Sequence, residues 1–206
     1  MALVKYNNNS ISAVTATGLA SGSLVLIKTL TASSSGTLSF VHGSNGVVLD
    51  STYPIYKFEF INIHPSTDDS STDLVVNYST DGGSNYNVTQ TSTFFGAYHA
   101  EDGSYSGLEY YPSLDVAQGT NAGLVDNAGN SNEASISGEL TLFNPSSTTF
   151  VKHWMGSMSL DQGGVSATTD VAGYGNTTSS INAVQYKFLS GNIDAGKIKL
   201  YGIKDS

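Results

Sequence analysis

The residues best placed to do chemistry in this chain are carboxylates set among tyrosines. Glu101, Asp102, Glu109 and Asp115 lie within a few positions of Tyr98, Tyr105, Tyr110 and Tyr111. A pair of carboxylates about 5–9.5 Å apart across a sugar cleft is what glycoside hydrolysis needs, and tyrosine rings make a sugar platform. Any acidic chain offers such pairs, however, and no spacing here is diagnostic. Other acidic runs have oxygens suited to Ca²⁺: Asp68-Asp69-Ser70-Ser71-Thr72-Asp73, Asp81-Gly82-Gly83-Ser84-Asn85 and Asp126-Asn127-Ala128-Gly129-Asn130. None follows the EF-hand pattern, and Asp, Asn and Gly are also the residues that β-turns use, so turn chemistry is the default reading.

The remaining reactive types are scattered. His42, His64, His99 and His153 form neither a His-Glu-x-x-His nor a His-x-His arrangement, so they read as ordinary strand or loop histidines. Cysteine is absent, which excludes disulfides, zinc–thiolate sites and cysteine nucleophiles. Gly43-Ser44 and Gly103-Ser104 lack the Gly-x-Ser-x-Gly elbow. Gly82-Gly83 and Gly163-Gly164 are not followed by the Gly-Lys-Ser/Thr of a phosphate loop. These observations favour a non-enzyme without a cofactor.

Composition narrows the partners. The 206 residues are 39% hydrophobic but only 12% charged, about half the usual share, with Ser, Thr, Asn and Gly in the charges' place. The net charge is −9, and all eight basic residues are lysine. An acidic chain without arginine is a poor match for phosphate backbones or anionic lipid, so neither nucleic acid nor membrane is an expected partner. Met1 to Lys5 do not read as a secretory signal, and the apolar stretch Leu24–Leu30 is too short to span a bilayer and carries Lys28. The expectation is a soluble protein synthesised in a cytoplasm.

The elements that would hold these residues are strands. Tyr56, Phe58 and Phe60 alternate with Lys57, Glu59 and Ile61, and Ile136, Gly138, Leu140 and Leu142 alternate with Ser137, Glu139, Thr141 and Phe143. Further runs lie at Leu24–Leu30, Leu38–Val41, Leu74–Tyr78, Thr149–Met158, Val165–Tyr174, Ile181–Leu189 and Lys197–Ile203. The last pair is joined by a connection with glycine near each end, Gly191 and Gly196. Lys197 and Lys199 alternate with Ile198 and Leu200, as on an outer strand with one wet face. Tyr98 to Ala134 reads as long loops with short strands, the kind of segment that forms interfaces. No window carries a capped helical stripe, and no fixed-length repeat is visible. The expectation is an all-β, jelly-roll-like β-sandwich of about nine to eleven short strands over residues 23–206, preceded by a polar N-terminal arm over residues 1–22.

Three stretches resemble a known group. Ile181 to Phe188, Ser190-Gly191-Asn192-Ile193 and Gly196 to Gly202 resemble the closing hairpin of virion structural proteins of marine tailed bacteriophages, and Tyr56–Pro65 and Ser146–His153 resemble the same group. The resemblance implies a β-sandwich of the virion with a role in capsid decoration, tail or fibre, and it carries no catalytic or binding residues across. The implied function is a capsid decoration or stabilising protein on the particle exterior, partnered by other virion proteins such as the major capsid protein. A homo-oligomer is expected, with a trimer as one form. The candidate contact residues are Tyr98, Tyr105, Tyr110 and Tyr111, together with Asn7, Asn8 and Asn9 of the arm. The alternative is a tail-fibre or spike module that binds host-surface glycans through the tyrosine-bearing loops.

Overall fold

The computed structural model describes residues 23–69 and 72–205, so the expected arm, with Asn7, Asn8 and Asn9, lies outside the described residues. The fold is all-β, with no helix among the described residues. Thirteen strands follow one another: β1 (Leu24–Thr31), β2 (Leu38–Val41), β3 (Ile55–Pro65), β4 (Leu74–Ser79), β5 (Gln90–Ala100), β6 (Ser106–Tyr110), β7 (Ala117–Gly119), β8 (Ala122–Val125), β9 (Ile136–Phe143), β10 (Lys152–Asp161), β11 (Val165–Gly175), β12 (Ala183–Phe188) and β13 (Ile193–Ile203). They form two antiparallel sheets packed as a sandwich. The large sheet runs β1-β13-β3-β9-β10-β11-β5-β6, with β7 also paired to β5; the small sheet runs β2-β12-β4-β8.

Alternation explains the core. Tyr56, Phe58 and Phe60 of β3 point inward and are at most 2% exposed. Phe58 and Phe60 meet Phe40 of β2 and Tyr186 of β12 in an edge-to-face cluster, with centroids 5.3 Å apart for Phe40–Phe58, 5.4 Å for Phe58–Tyr186 and 5.0 Å for Phe60–Tyr186. That geometry sets a positive ring edge against a negative face and adds about 0.5–1.5 kcal/mol per pair to the burial itself. Trp154 and Met158 of β10, Leu140 and Leu142 of β9 and Phe94 of β5 extend the same inner layer.

Thirteen strands exceed the nine to eleven expected, and five of them are ten or eleven residues long rather than short. The surplus comes from β5 and from β6, β7 and β8, the short strands inside the Tyr98–Ala134 segment. Strand β5 alternates strictly between buried and open positions, but its inner set includes Gln90, Ser92 and Gly96, so no apolar period marks it. The closing connection also differs. Gly196 lies within β13, at a bulge, with φ of 102°. A Cβ there would stand 2.2 Å from the Asn62 carbonyl oxygen, so the close backbone approach requires glycine. Strand β13 itself is not at the sheet edge; β1 covers it on one side and β3 on the other.

The two sheets differ in what covers their outer faces. Strand β4 is buried at all six positions. Its outward Asn77 donates Nδ2 to the Thr120 carbonyl (2.7 Å) and to Asn121 Oδ1 (2.7 Å), because the chain before β8 folds over it. Nothing described lies over the outer face of the large sheet in the same way, and its β5, β10 and β11 alternate buried with open positions.

Candidate functional site

The tyrosine segment divides between core and surface. Tyr98 points inward from β5 and is 6% exposed; its ring lies 5.7 Å from that of Tyr111, which also meets Phe94 at 5.8 Å. These two serve intrachain packing first. Tyr105 and Tyr110 are exposed, on or beside β6. The carboxylates next to them are held by phenols. Glu109 accepts from the Tyr105 hydroxyl and, at 2.7 Å, from the Tyr111 hydroxyl, while Asp115 accepts from the Tyr110 hydroxyl. These bonds, Tyr105 first and then Tyr111, hold the Glu109 carboxyl below its ordinary range. Behind them Asp126 is half-buried and pushed up to about 6, by burial first and then by the charges of Asp73 and Glu109. Asp73 is raised too, chiefly by burial, against the lowering effect of the Asn127 N–H that it accepts at 3.0 Å.

The other sequence candidates go separate ways. Asp81 accepts from Ser79 Oγ (2.7 Å), from the Asn85 N–H (2.9 Å) and from Asn85 Nδ2 (2.8 Å), which holds it at about 2; it ties a turn. Asp69 accepts from Ser190 Oγ at 2.7 Å, which ties its loop to the connection after β12, and Asp102 accepts the Ser104 N–H at 2.9 Å, a local turn bond. Of the histidines, His42 accepts the Leu49 N–H at 3.1 Å, His64 stands 3.1 Å from the Ser131 carbonyl, and the His153 ring lies 6.0 Å from Tyr174. Among the described residues no three His, Asp or Glu side chains gather as metal ligands.

What the structure does gather is apolar surface. Nine large hydrophobic residues are exposed among the described residues, and six of them (Leu24, Leu26, Phe95, Leu108, Tyr110 and Met155) lie on the outer face of the large sheet. The register proves the shared face, because residues directly opposite each other point the same way. One row runs Leu26, Tyr201, Lys57, Thr141, Met155, Ala172, Thr93; the next runs Leu24, Ile203, Ile55, Phe143, His153, Tyr174, Thr91. Leu108 pairs with Ala97 and Tyr110 with Phe95 at the far side. Between these apolar positions stand small hydroxyl residues such as Ser157, Ser159, Ser166 and Thr168. A shallow groove of about 420 Å³ opens at one end of the face, lined by Phe143, His153, Met155 and Tyr174 with Thr91 and Thr93.

Of the expected contact residues, this face includes Tyr110; Tyr105, opposite Ala100 and bonded to Glu109, turns to the other side of the sheet. Leu24, Leu26, Phe95, Leu108 and Met155 were not singled out by sequence reasoning. A signal existed for Met155: it follows Trp154 in a strand, so parity turns one of the two outward. None existed for Leu108, whose strand has no apolar period.

Comparison with protein-family models, with curated proteins and with solved structures returned no match. The molecule is thus described by its architecture, an all-β sandwich with one broad uncovered face.

Proposed function

We propose that this chain is a non-enzymatic structural protein of a phage virion, a capsid decoration or stabilising protein on the particle exterior. The observation that carries the reading is the outer face of the large sheet, where six of the nine exposed large hydrophobics collect. The apolar positions form two groups, Leu24 and Leu26 at the β1 border and Met155, Phe95, Leu108 and Tyr110 toward the β6 border, with Lys57 and Glu139 paired between them at 2.5 Å. Exposed apolar groups of this kind mark protein contacts. The strand order also supports a jelly-roll description. The interleaving β2-β12-β4-β8 against β3-β9-β10-β11-β5-β6 is that of two Greek keys, with the β9–β11 meander where a jelly roll has one strand. The stretches that resemble tailed-phage virion proteins supply the particle.

A module that binds only the assembled shell stabilises it by mass action, because each bound copy draws the equilibrium away from disassembly. The partners are then the major capsid protein and further copies of this chain. Nucleic acid and membrane have no part, in keeping with the net charge of −9 and the absence of arginine. The second reading is a tail-fibre or spike module for host glycans, and it draws on the groove beside His153 and Tyr174, which offers ring faces and hydroxyls together.

The two readings separate by the number and position of copies in purified particles, measured by quantitative gel densitometry and cryo-electron microscopy. Decoration predicts hundreds of copies over the shell. A handful of copies at the tail tip overturns it in favour of host recognition.

A further inference from the structure

Among the described residues, both ends of the large sheet are open strands, and their backbones are set to receive another strand. At the β6 end, the Ala100 N–H donates to the Tyr105 carbonyl and the Tyr111 N–H to the Phe94 carbonyl. Hydrogen-bonded and non-bonded pairs alternate along an antiparallel ladder. Ser106, Leu108 and Tyr110 therefore occupy the non-bonded positions opposite β5, and their N–H and C=O groups point out of the sheet edge. At the β1 end, the Lys204 N–H donates to the Ser23 carbonyl, which by the same parity turns the backbone groups of Leu24 and Leu26 outward. The side chains of these residues stand on the outer face and rank among the most exposed apolar groups: Leu24 46%, Leu26 53%, Leu108 74% and Tyr110 55%.

The two ends differ in charge. Lys28, Lys57, Lys197, Lys199 and Lys204 lie on or beside β1, β13 and β3, where they outnumber Glu59 and Asp194 and where Lys57 is paired with Glu139 at 2.5 Å, whereas residues 58–151, which include β5 and β6, contain no lysine or arginine. That far end holds Glu101, Asp102, Glu109 and Asp115 around β6, with Asp161 and Asp170 bordering and on β11. Like ends repel and unlike ends attract. Direction agrees as well. Eight strands, each antiparallel to its neighbour, leave β1 and β6 running in opposite senses. A second copy placed beside the first with the same face outward thus presents β1 antiparallel to β6.

We infer that the partner for these edges is a second copy of this chain, joined head to tail by pairing β1 of one copy with β6 of the next. The seam brings Leu24 and Leu26 beside Leu108 and Tyr110, joining their apolar groups, and continues one sheet across copies. Such a heterologous contact closes into a ring or runs on as a filament. It deepens the reading of the chain as an assembly protein, yet it is read on the purified chain alone, so the loss of the seam and the loss of the virion role are separate results.

The test uses two edge-blocked variants of the full chain. Leu108→Pro removes an outward N–H from β6, and Leu26→Pro removes one from β1, each without breaking a bond to the strand inside it. Sedimentation velocity over a concentration series should show wild-type oligomers that weaken at about 1 M salt, where charge screening is nearly complete. Each variant alone should associate at least tenfold more weakly, while an equimolar mixture should form dimers and nothing larger, because only one seam remains possible. Leu108→Asp and Leu24→Asp repeat the design without altering the backbone, and circular dichroism melts confirm folding of each. A wild-type monomer at all concentrations overturns the seam. So does self-association of either variant set alone, which would mean a like-to-like contact.

Discussion

At the scale of single residues, the informative groups are those whose surroundings oppose their chemistry. Asp126 is pushed up to about 6 from 3.8, so between those values the folded chain holds a proton that the unfolded chain has released. Stability contributed this way is full below pH 3.8 and is lost as pH rises through 6. Asp81 acts in the opposite sense: held at about 2, it contributes stability that is lost as pH falls from 3.8 toward 2. The thermal midpoint should therefore rise on acidification from pH 7 to about 5 and fall again below about 4. Asp126→Asn should raise stability at pH 7 by about 1 kcal/mol, a figure discounted for its partial exposure, and should flatten the slope between pH 4 and 6, as read by thermal melts across that range. A second residue in tension is Tyr186, whose hydroxyl is buried without a hydrogen-bond partner among the described residues. Tyr186→Phe keeps the ring that meets Phe40, Phe58 and Phe60 and removes an unsatisfied polar group. Urea unfolding should show it equal to wild type or more stable by about 1 kcal/mol.

At the scale of elements, the central strands pack so closely that one methyl group is too much. A Cβ on Gly138 of β9 would stand 2.3 Å from the Ser157 carbonyl oxygen and 2.8 Å from Met158 Cα, both on β10. These are backbone atoms that cannot swing aside, so Gly138→Ala should destabilise by about 1–3 kcal/mol in denaturant unfolding. The same elements show why some of the fold was legible in the sequence and some was not. Strand β3 carries Tyr56, Phe58 and Phe60 at every second position and β9 carries Ile136, Leu140 and Leu142 with Gly138 in the same row, and their inner faces are the ones that the alternation names. Strand β5 has an equally strict inside and outside, but its inner row holds Gln90, whose Nε2 donates to the Val76 carbonyl (3.0 Å), and Gly96, which leaves room for the Tyr98 ring, so neither position looks apolar. Tyr98 was expected at an interface because tyrosine serves wet and dry sites equally well. Its strand parity, invisible until β5 is recognised, turns it into the core.

At the scale of the whole molecule, the sandwich is asymmetric. The small sheet is covered on its outer side at β4, by the chain at Thr120 and Asn121, while the large sheet presents a broad outer face with, among the described residues, open strands at both borders. The sandwich class follows from composition and alternation alone. The uncovered face does not, because it depends on which loops fold over which sheet, a property of topology that single-strand periodicity does not encode. Apolar exposure, edges unpaired among the described residues and the difference in charge between the two borders are what support the proposed role in protein contact.

Hydrogen–deuterium exchange, compared between dilute and assembled protein, measures that claim most directly. Slowed exchange on assembly is expected at Leu24 and Leu26 of β1 and at Ser106, Leu108 and Tyr110 of β6, whose N–H groups point out of the sheet and have no partner among the described residues of one copy, while the small sheet stays unchanged. Protection confined to β4, β8 or the loops over them, with the large sheet's borders still exchanging freely, would contradict it.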